Sequence, residues 1–401
     1  MEILSLSFAL LVVGVWATRV LVQNALARQL VLLGASAYFL VEYLKGLHPA
    51  NYGQPLVALL VFVASGYLGY FLARRERERA TRSLPFYAWL TVHFLFYLFF
   101  TKPGLFTPIV GQGLSERIIF VVGISYVFLR QLHVCFDVRN GLIREVPFIG
   151  YLVFLLSFHT LLAGPITRYK EFASEVVAGR PSLTVSEIVD ALNRIATGCV
   201  KKFVVATVLY NALTVGHGSS ALAKTEPNLW LAFHIFALYE YLDFSGYMDI
   251  MIGVGALMGV RIPENFNRPY LARNMIDFWS RWHITLANWI RDYVFNPMSV
   301  RLGRKFPRSI LAVGVFCYVF AFSIVGLWHG IALGFFLWGL SQGLGLAAVK
   351  VYEQWLRKRL GRKGFKKYLQ NRSIRWCAGI LTVEYFVATV GLVLLDLSGA
   401  F

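Results

Sequence analysis

Charge is scarce in this chain. Only 15% of its 401 residues are Asp, Glu, Lys or Arg, and just 21 are acidic, whereas an average soluble domain carries about 25% charged residues. So thin a polar coat argues against a soluble globule and suits a surface facing hydrocarbon. Cysteine is sparse too. Cys135, Cys199, Cys317 and Cys377 are scattered, mostly in apolar runs. Their spacing suits neither zinc nor a disulfide framework, and they read as small core residues. Catalytic templates are missing: there is no G-x-S-x-G elbow, no P-loop, no H-E-x-x-H and no Rossmann fingerprint after a strand. A Ser or Cys nucleophile, a metal site and a tightly bound cofactor are therefore not indicated. Nor does a linker or low-complexity break divide the chain, so residues 1–401 read as one membrane domain.

What the chain has is hydrophobicity: 57% of residues are apolar and 16% aromatic. A crossing helix needs about 20 mostly apolar residues. Candidate spans are 3–22, 29–45, 55–73, 85–101, 117–136, 147–164, 193–215, 228–260, 308–328, 331–352 and 375–398. The expected fold class is an all-α integral membrane protein with about ten to twelve hydrophobic helices, the 228–260 run being long enough to contain a break. Met1-Glu2 followed directly by an apolar run reads as a retained first span rather than a signal peptide.

The formal net charge is +18, from 39 Lys and Arg. Membrane proteins collect such residues in cytoplasmic loops, a better account than nucleic acid. Arg74–Arg79, Arg301–Arg308 and Arg357–Lys367 read as basic loops on the cytoplasmic side, which places the N-terminus outside. These loops face membrane lipid headgroups or an acidic partner.

The run FWSRWHITLANWIRDYVF is different. Trp279, Trp282, Leu286, Trp289 and Tyr293 make one helical stripe, with Arg281, Thr285, Asn288 and Asp292 on another face. The pattern predicts a single amphipathic helix, interfacial or lining a wet cavity. His283 lies beside the aromatic stripe. Of eight histidines (48, 93, 133, 159, 217, 234, 283 and 329), His93, His159 and His234 stand alone in apolar runs and read as satisfied core groups. His329 ends an apolar helix in VGLWHG, between Gly326 and Gly330. A neutral imidazole there can serve as a general base. Upstream, YEYLDFSGYMD sets Glu240, Asp243 and Asp249 within an apolar run, where unpaired acids are costly. RIPENFNRPY then brings Asn265, Asn267 and Arg268 to a Pro-bounded turn. Packing network and cavity lining both fit this cluster.

The runs GPITRYKEF, DFSGYMDIMIGVGALMGVRIPENFNRPY, DFWSRWHITLANWIRDYVF and GLWHG together resemble the membrane-bound O-acyltransferase family, in its bacterial cell-envelope branch. The likeness covers a core of residues 160–345. It implies a fold with a central funnel or tunnel, with His329 and His283 catalytic. It also implies a cytoplasmic thioester donor, on a phosphopantetheine-bearing acidic carrier protein or coenzyme A. The acceptor is a hydroxyl of an envelope glycopolymer or an intermediate, with an extracytoplasmic acyltransferase as a partner. Asp243, Ser245, Asn267, Arg268, Trp282 and Trp328 are candidates for lining the tunnel, and Arg301, Arg304 and Lys305 for docking the carrier. Two subfamilies share these motifs, one acetylating alginate and one D-alanylating teichoic acid. The D-F-S-G-Y and G-P-I-x-R-Y-K stretches resemble the first, while the short length, the ending LLDLSGAF and the FNPMSVRLGRK continuation resemble the second and tip the balance to it. The rival from another class is a polytopic transporter or flippase for an envelope precursor, which predicts inverted repeats.

Overall fold

The computed structural model describes residues 5–22, 24–79, 83–110, 123–178, 183–214 and 229–397. Parts of the expected spans 117–136 and 193–215, His217 and the closing residues 398–401 lie outside this set. Among the described residues every regular element is helical. Among the described residues six helices are long and apolar enough to cross a bilayer, and Leu6–Thr18 is a shorter apolar helix. By its internal packing the chain divides into two compact units. One comprises Met1–Ile195 and Ile250–Pro263, the other Ala196–Asp249 and Glu264–Phe401.

The first unit contains α1 (Leu6–Leu21), α2 (Ala25–Leu47), α3 (Gly53–Arg79), α4 (Leu84–Thr101), α5 (Ile124–Arg139) and α6 (Phe148–Leu156). Local chemistry starts the first two: Ser5 accepts from the Phe8 N–H, and Asn24 accepts from the N–H groups of Leu26 and Ala27. Polar side chains join the next four helices. The Gln131 amide donates to the Phe62 carbonyl and the Tyr151 hydroxyl. Its Oε1 faces His93 Nε2 at 3.0 Å, and Ser65 Oγ lies 3.0 Å from His93 Nδ1. Deeper still, the fully buried Arg130 donates to the carbonyls of Phe154, Leu155 and Thr160. It thereby satisfies groups that α6 leaves open where it ends.

The second unit contains α7 (Ala206–Thr214) and most of α8 (Leu229–Leu257), then α9 (Met275–Trp279), α10 (Ile284–Ile290), α11 (Asn296–Lys305), α12 (Ile310–His329), α13 (Leu333–Gln370) and α14 (Arg372–Leu397). Helices α12 and α13 touch backbone to backbone. A Cβ on Gly339 would lie 2.7 Å from Gly326 Cα, and one on Gly326 would lie 2.4 Å from the Phe335 carbonyl oxygen. Glycine is the residue that permits such an approach, and small residues are how helices associate in lipid. Trp279 Nε1 donates to Gln342, whose amide donates to Thr389, tying α9, α13 and α14 together.

Three sequence expectations change here. The 228–260 run contains no break: α8 is continuous from Leu229 to Leu257. The first basic run, Arg74–Arg79, is helical rather than a loop, because Arg and Glu are good helix formers and pair along the helix, whereas the other two runs are helical but broken, at Phe306 and at Gly361. Arg74 and Glu78 pair at 2.8 Å, while Arg139 holds the buried Glu76 at 3.0 Å. Third, the aromatic stripe is not one helix. It breaks between α9 and α10, and a π-helical segment, Arg291–Phe295, follows α10.

Candidate active site

The break after α9 falls at His283, whose φ is +44°. A side chain with a Cβ adopts that region only when its surroundings enforce it. Asn265 is what enforces it. This buried residue receives the Ile284 N–H on its carbonyl, and its side-chain oxygen accepts from both the N–H and the hydroxyl of Thr285 at 3.0 and 2.9 Å. Thr285 is therefore turned into the protein, not out on a polar face. The same Asn265 oxygen stands 3.3 Å from His283 Nδ1. Since the backbone donor fixes the facing atom as oxygen, Nδ1 carries the proton, and the lone pair is on Nε2. Nε2 is buried and has no hydrogen-bond partner. Phe244 of α8 packs edge-on against the ring at 4.9 Å. His283 lies outside the six membrane-crossing helices. Burial holds its pKa below the usual imidazole value, and the nearby imidazole of His329 depresses it further. The two histidines are thus electrostatic neighbours, and His283 is neutral at pH 7.

His329 is the last residue of α12 and is exposed. Trp328 lies beside it at 4.8 Å, Phe335 lies parallel at 6.5 Å, and Trp338 stands perpendicular at 5.2 Å. The Gly326–Gly339 contact sets this geometry, since it brings the start of α13 against the end of α12. Trp338 is 7% exposed, and its indole N–H is buried without a partner. The site therefore combines an accessible imidazole, a second imidazole with a free lone pair, and an indole donor beside the first. That set can accept a proton and stabilise a developing negative charge.

The other expected residues distribute unevenly. Trp282 is buried among Tyr241, Phe266, Phe278 and Phe386, so it is packing core. Ser245 is buried, with no partner for its hydroxyl. Asn267 and Arg268 are exposed on the turn, where the Asn267 N–H donates to the Arg281 carbonyl and Arg268 has a φ of +47°. Asp243 is paired with Lys202 at 2.5 Å, and Asp249 with Lys201 at 2.6 Å. Both lysines lie on a π-helical segment, Val200–Val205, which sequence reading passed over. These pairs explain how acids sit within an apolar helix. Arg301, Arg304 and Lys305 are exposed on α11. At its other end the α9 cap is secured by Asn274, which accepts from the Asp277 N–H, while Arg273 and Arg281 both pair with Asp277. Burial would raise the Asp277 pKa, but those hydrogen bonds outweigh it and lower it.

Sequence reading missed two residues of this site. Asn265 was visible as a polar group in PENFN, but nothing marked it as the partner of a histidine 18 residues on. Trp338 carries no motif signal at all. Of the three histidines read as satisfied core groups, His93 and His234 have partners on both nitrogens. His159 is fully buried, but neither ring nitrogen has a hydrogen-bond partner.

The sequence profile of the membrane-bound O-acyltransferase family matches residues 24–390. Among similar proteins, the teichoic acid D-alanyltransferase of Bacillus subtilis is 31% identical over 74% of this chain and 74% of its own length. That of Streptococcus thermophilus is 28% identical over 81% and 76%. The probable alginate O-acetylase AlgI of Pseudomonas aeruginosa is 28% identical, over 72% of this chain but 56% of its own length.

Proposed function

The chain belongs to the membrane-bound O-acyltransferase family and is a multi-pass membrane acyltransferase; on that premise we propose that it passes a D-alanyl group from a cytoplasmic thioester to a hydroxyl of a bacterial cell-envelope glycopolymer, or to an intermediate acceptor. The observation that carries the reading is the pairing of an exposed His329 with a buried, lone-pair-bearing His283 and the unpartnered indole N–H of Trp338. The higher identity to the D-alanyl relative of Bacillus subtilis, 31% against 28% for the alginate relative, favours D-alanyl over acetyl.

In this reading His329 takes the proton from the acceptor hydroxyl as its oxygen attacks the thioester carbonyl. The carbonyl oxygen gains negative charge, and the Trp338 N–H donates to it. The C–S bond then breaks, and the thiolate recovers the proton from the His329 imidazolium. The tautomer set by Asn265 makes His283 Nε2 an acceptor, which suits it to orient an N–H or O–H of a reactant better than to hold an oxyanion. Arg301, Arg304 and Lys305 offer an acidic carrier protein a cationic helix face on the cytoplasmic side. The chain resides in the cytoplasmic membrane with its N-terminus outside, and an extracytoplasmic partner completes delivery to the polymer.

The test is direct. Purified protein in lipid nanodiscs receives D-alanyl and acetyl thioesters of a phosphopantetheine carrier protein and of coenzyme A, each with labelled acyl group. Transfer or release of D-alanine from the carrier supports the reading. Acetyl transfer alone reassigns the acyl group, and no turnover of any thioester removes the catalytic role assigned to the histidines.

A further inference from the structure

The long helix α13 does not end where its apolar part ends. At Gly361 the backbone takes φ +65° and ψ 176°, a glycine conformation, and the chain reverses direction within what is otherwise a continuous helix. Side chains pin the reversal. The Tyr352 and Tyr368 hydroxyls meet at 3.0 Å, and the Arg357 guanidinium lies over the Phe365 ring at 4.7 Å. Before the reversal, Arg359 lies over Trp355 one turn back on the same helix, at 5.2 Å. The result is a fixed hairpin carrying Arg357, Lys358, Arg359, Arg362, Lys363, Lys366 and Lys367, all exposed. Among the described residues none of the seven has an acidic partner. The nearby Glu353 faces Lys350 instead, at 3.8 Å.

One turn earlier on the same helix lies an apolar groove. Val315, Leu344, Ala347, Ala348, Val351, Tyr352 and Trp355 line it as a shallow depression, open to the surroundings along most of its length. Tyr352 and Trp355 remain 48% and 49% exposed at the end nearest the cations. Apolar groove, aromatic rim and unpaired cations follow one another along about two turns of helix past Ala348. That is the order in which an acyl chain, a glycerol ester region and a charged headgroup follow one another in a lipid. A solvated basic loop needs neither the glycine reversal nor the aromatic pins.

We propose that this hairpin and groove form a binding site for an anionic phospholipid, with the phosphate held by the Arg357–Lys367 cations and an acyl chain lying along α12 and α13. The site is separate from the transfer chemistry and stands whether or not the acyl group is D-alanyl. An anionic lipid fits better than an acidic protein because the groove continues directly from a membrane-crossing helix.

The test uses the full chain in nanodiscs of phosphatidylcholine with one-fifth phosphatidylglycerol, brominated acyl chains being placed on one lipid or the other at equal mole fraction. The contribution of Trp355 is read as the difference in fluorescence quenching between the native chain and Trp355→Phe. Brominated phosphatidylglycerol is expected to quench Trp355 several-fold more than brominated phosphatidylcholine. The combined variant Arg357→Gln, Arg359→Gln, Arg362→Gln, Lys363→Gln should abolish most of that preference, bringing quenching by the two lipids close to equal. Ala348→Phe, which fills the groove but keeps every charge, should reduce quenching by either lipid. Circular dichroism of each variant reports whether it folds. Equal quenching of native Trp355 by the two lipids overturns the proposal. So does an unchanged preference in the neutralised variant, or a hairpin that binds an acidic carrier protein in detergent while showing no lipid preference.

Discussion

His93 and His283 are both buried, at 1% and 3% exposure; Phe62, Trp89 and Phe128 surround the first, and Phe244 packs edge-on against the second. They differ at one atom. His93 has a partner on each nitrogen, Ser65 on Nδ1 and Gln131 on Nε2, and it sits within regular helix. His283 has Asn265 on Nδ1 and nothing on Nε2, and its backbone is held in the left-handed region. A fully paired imidazole fastens helices together, as polar groups in lipid do. A half-paired one, held in a strained bend, keeps a lone pair available for a reactant. Burial, which the two share, therefore says little about role. The unused valence and the strain distinguish them.

The comparison extends to His329, and its largest test is there. His329→Ala is expected to lower acyl transfer by about 10²–10⁴-fold while size-exclusion behaviour and helical content stay native, as rates on the labelled thioester would report. Turnover within a few-fold of native would separate this histidine from the chemistry. Next in size, Trp338→Phe keeps the ring but removes the indole donor. It should lower kcat by about 10²–10³-fold with KM little changed, if the N–H faces the developing oxyanion. A change confined to KM or to stability would make Trp338 a packing residue only.

The contrast between the two buried histidines is sharpest in a matched pair of variants. Asn265→Ala strands the Thr285 donors and frees the His283 ring, at a cost of about 1–3 kcal/mol in stability, and it should also depress specific activity of the folded fraction. His93→Ala opens a cavity and breaks the Ser65–Gln131 link, at a cost of about 2–4 kcal/mol, yet the folded fraction should keep native specific activity. Equal activity losses in the two would erase the distinction. The smallest effect is on pH dependence. Because the folded pKa of His283 is depressed, its neutral form contributes stability in full above the unfolded value of about 6.5, and this is lost as pH falls towards the folded value. The native chain should therefore lose more thermal stability between pH 7 and 5 than His283→Gln does. Parallel curves would show that His283 is not buried neutral.

Much of the fold was legible because hydrocarbon imposes a crude rule: about 20 apolar residues, helically hydrogen-bonded. Runs such as 55–73, 85–101 and 308–328 obey it. The sequence misled wherever polar residues interrupted that rule. The stripe from Trp279 to Tyr293 has helical spacing throughout, yet a residue outside it, Asn265, draws Thr285 inward and bends the chain at His283. The acids of α8 left a packing network and a cavity lining both open, and two of them are paired with Lys201 and Lys202, 48 and 41 residues earlier. Arg74–Arg79 read as a loop because its charges mark a membrane boundary, although the same residues favour helix.

By itself, the order of residues determined that the chain is helical and membrane-embedded, and which two histidines stand in family motifs. Composition and local periodicity act over a few residues and need no partner. Only the tertiary structure decided which imidazole nitrogen carries the proton, that Trp338 stands against His329, and that Asp243 is neutralised by Lys202. Those outcomes depend on groups distant in sequence that packing brings within hydrogen-bond or ring-contact reach, and no periodicity along a single segment encodes them.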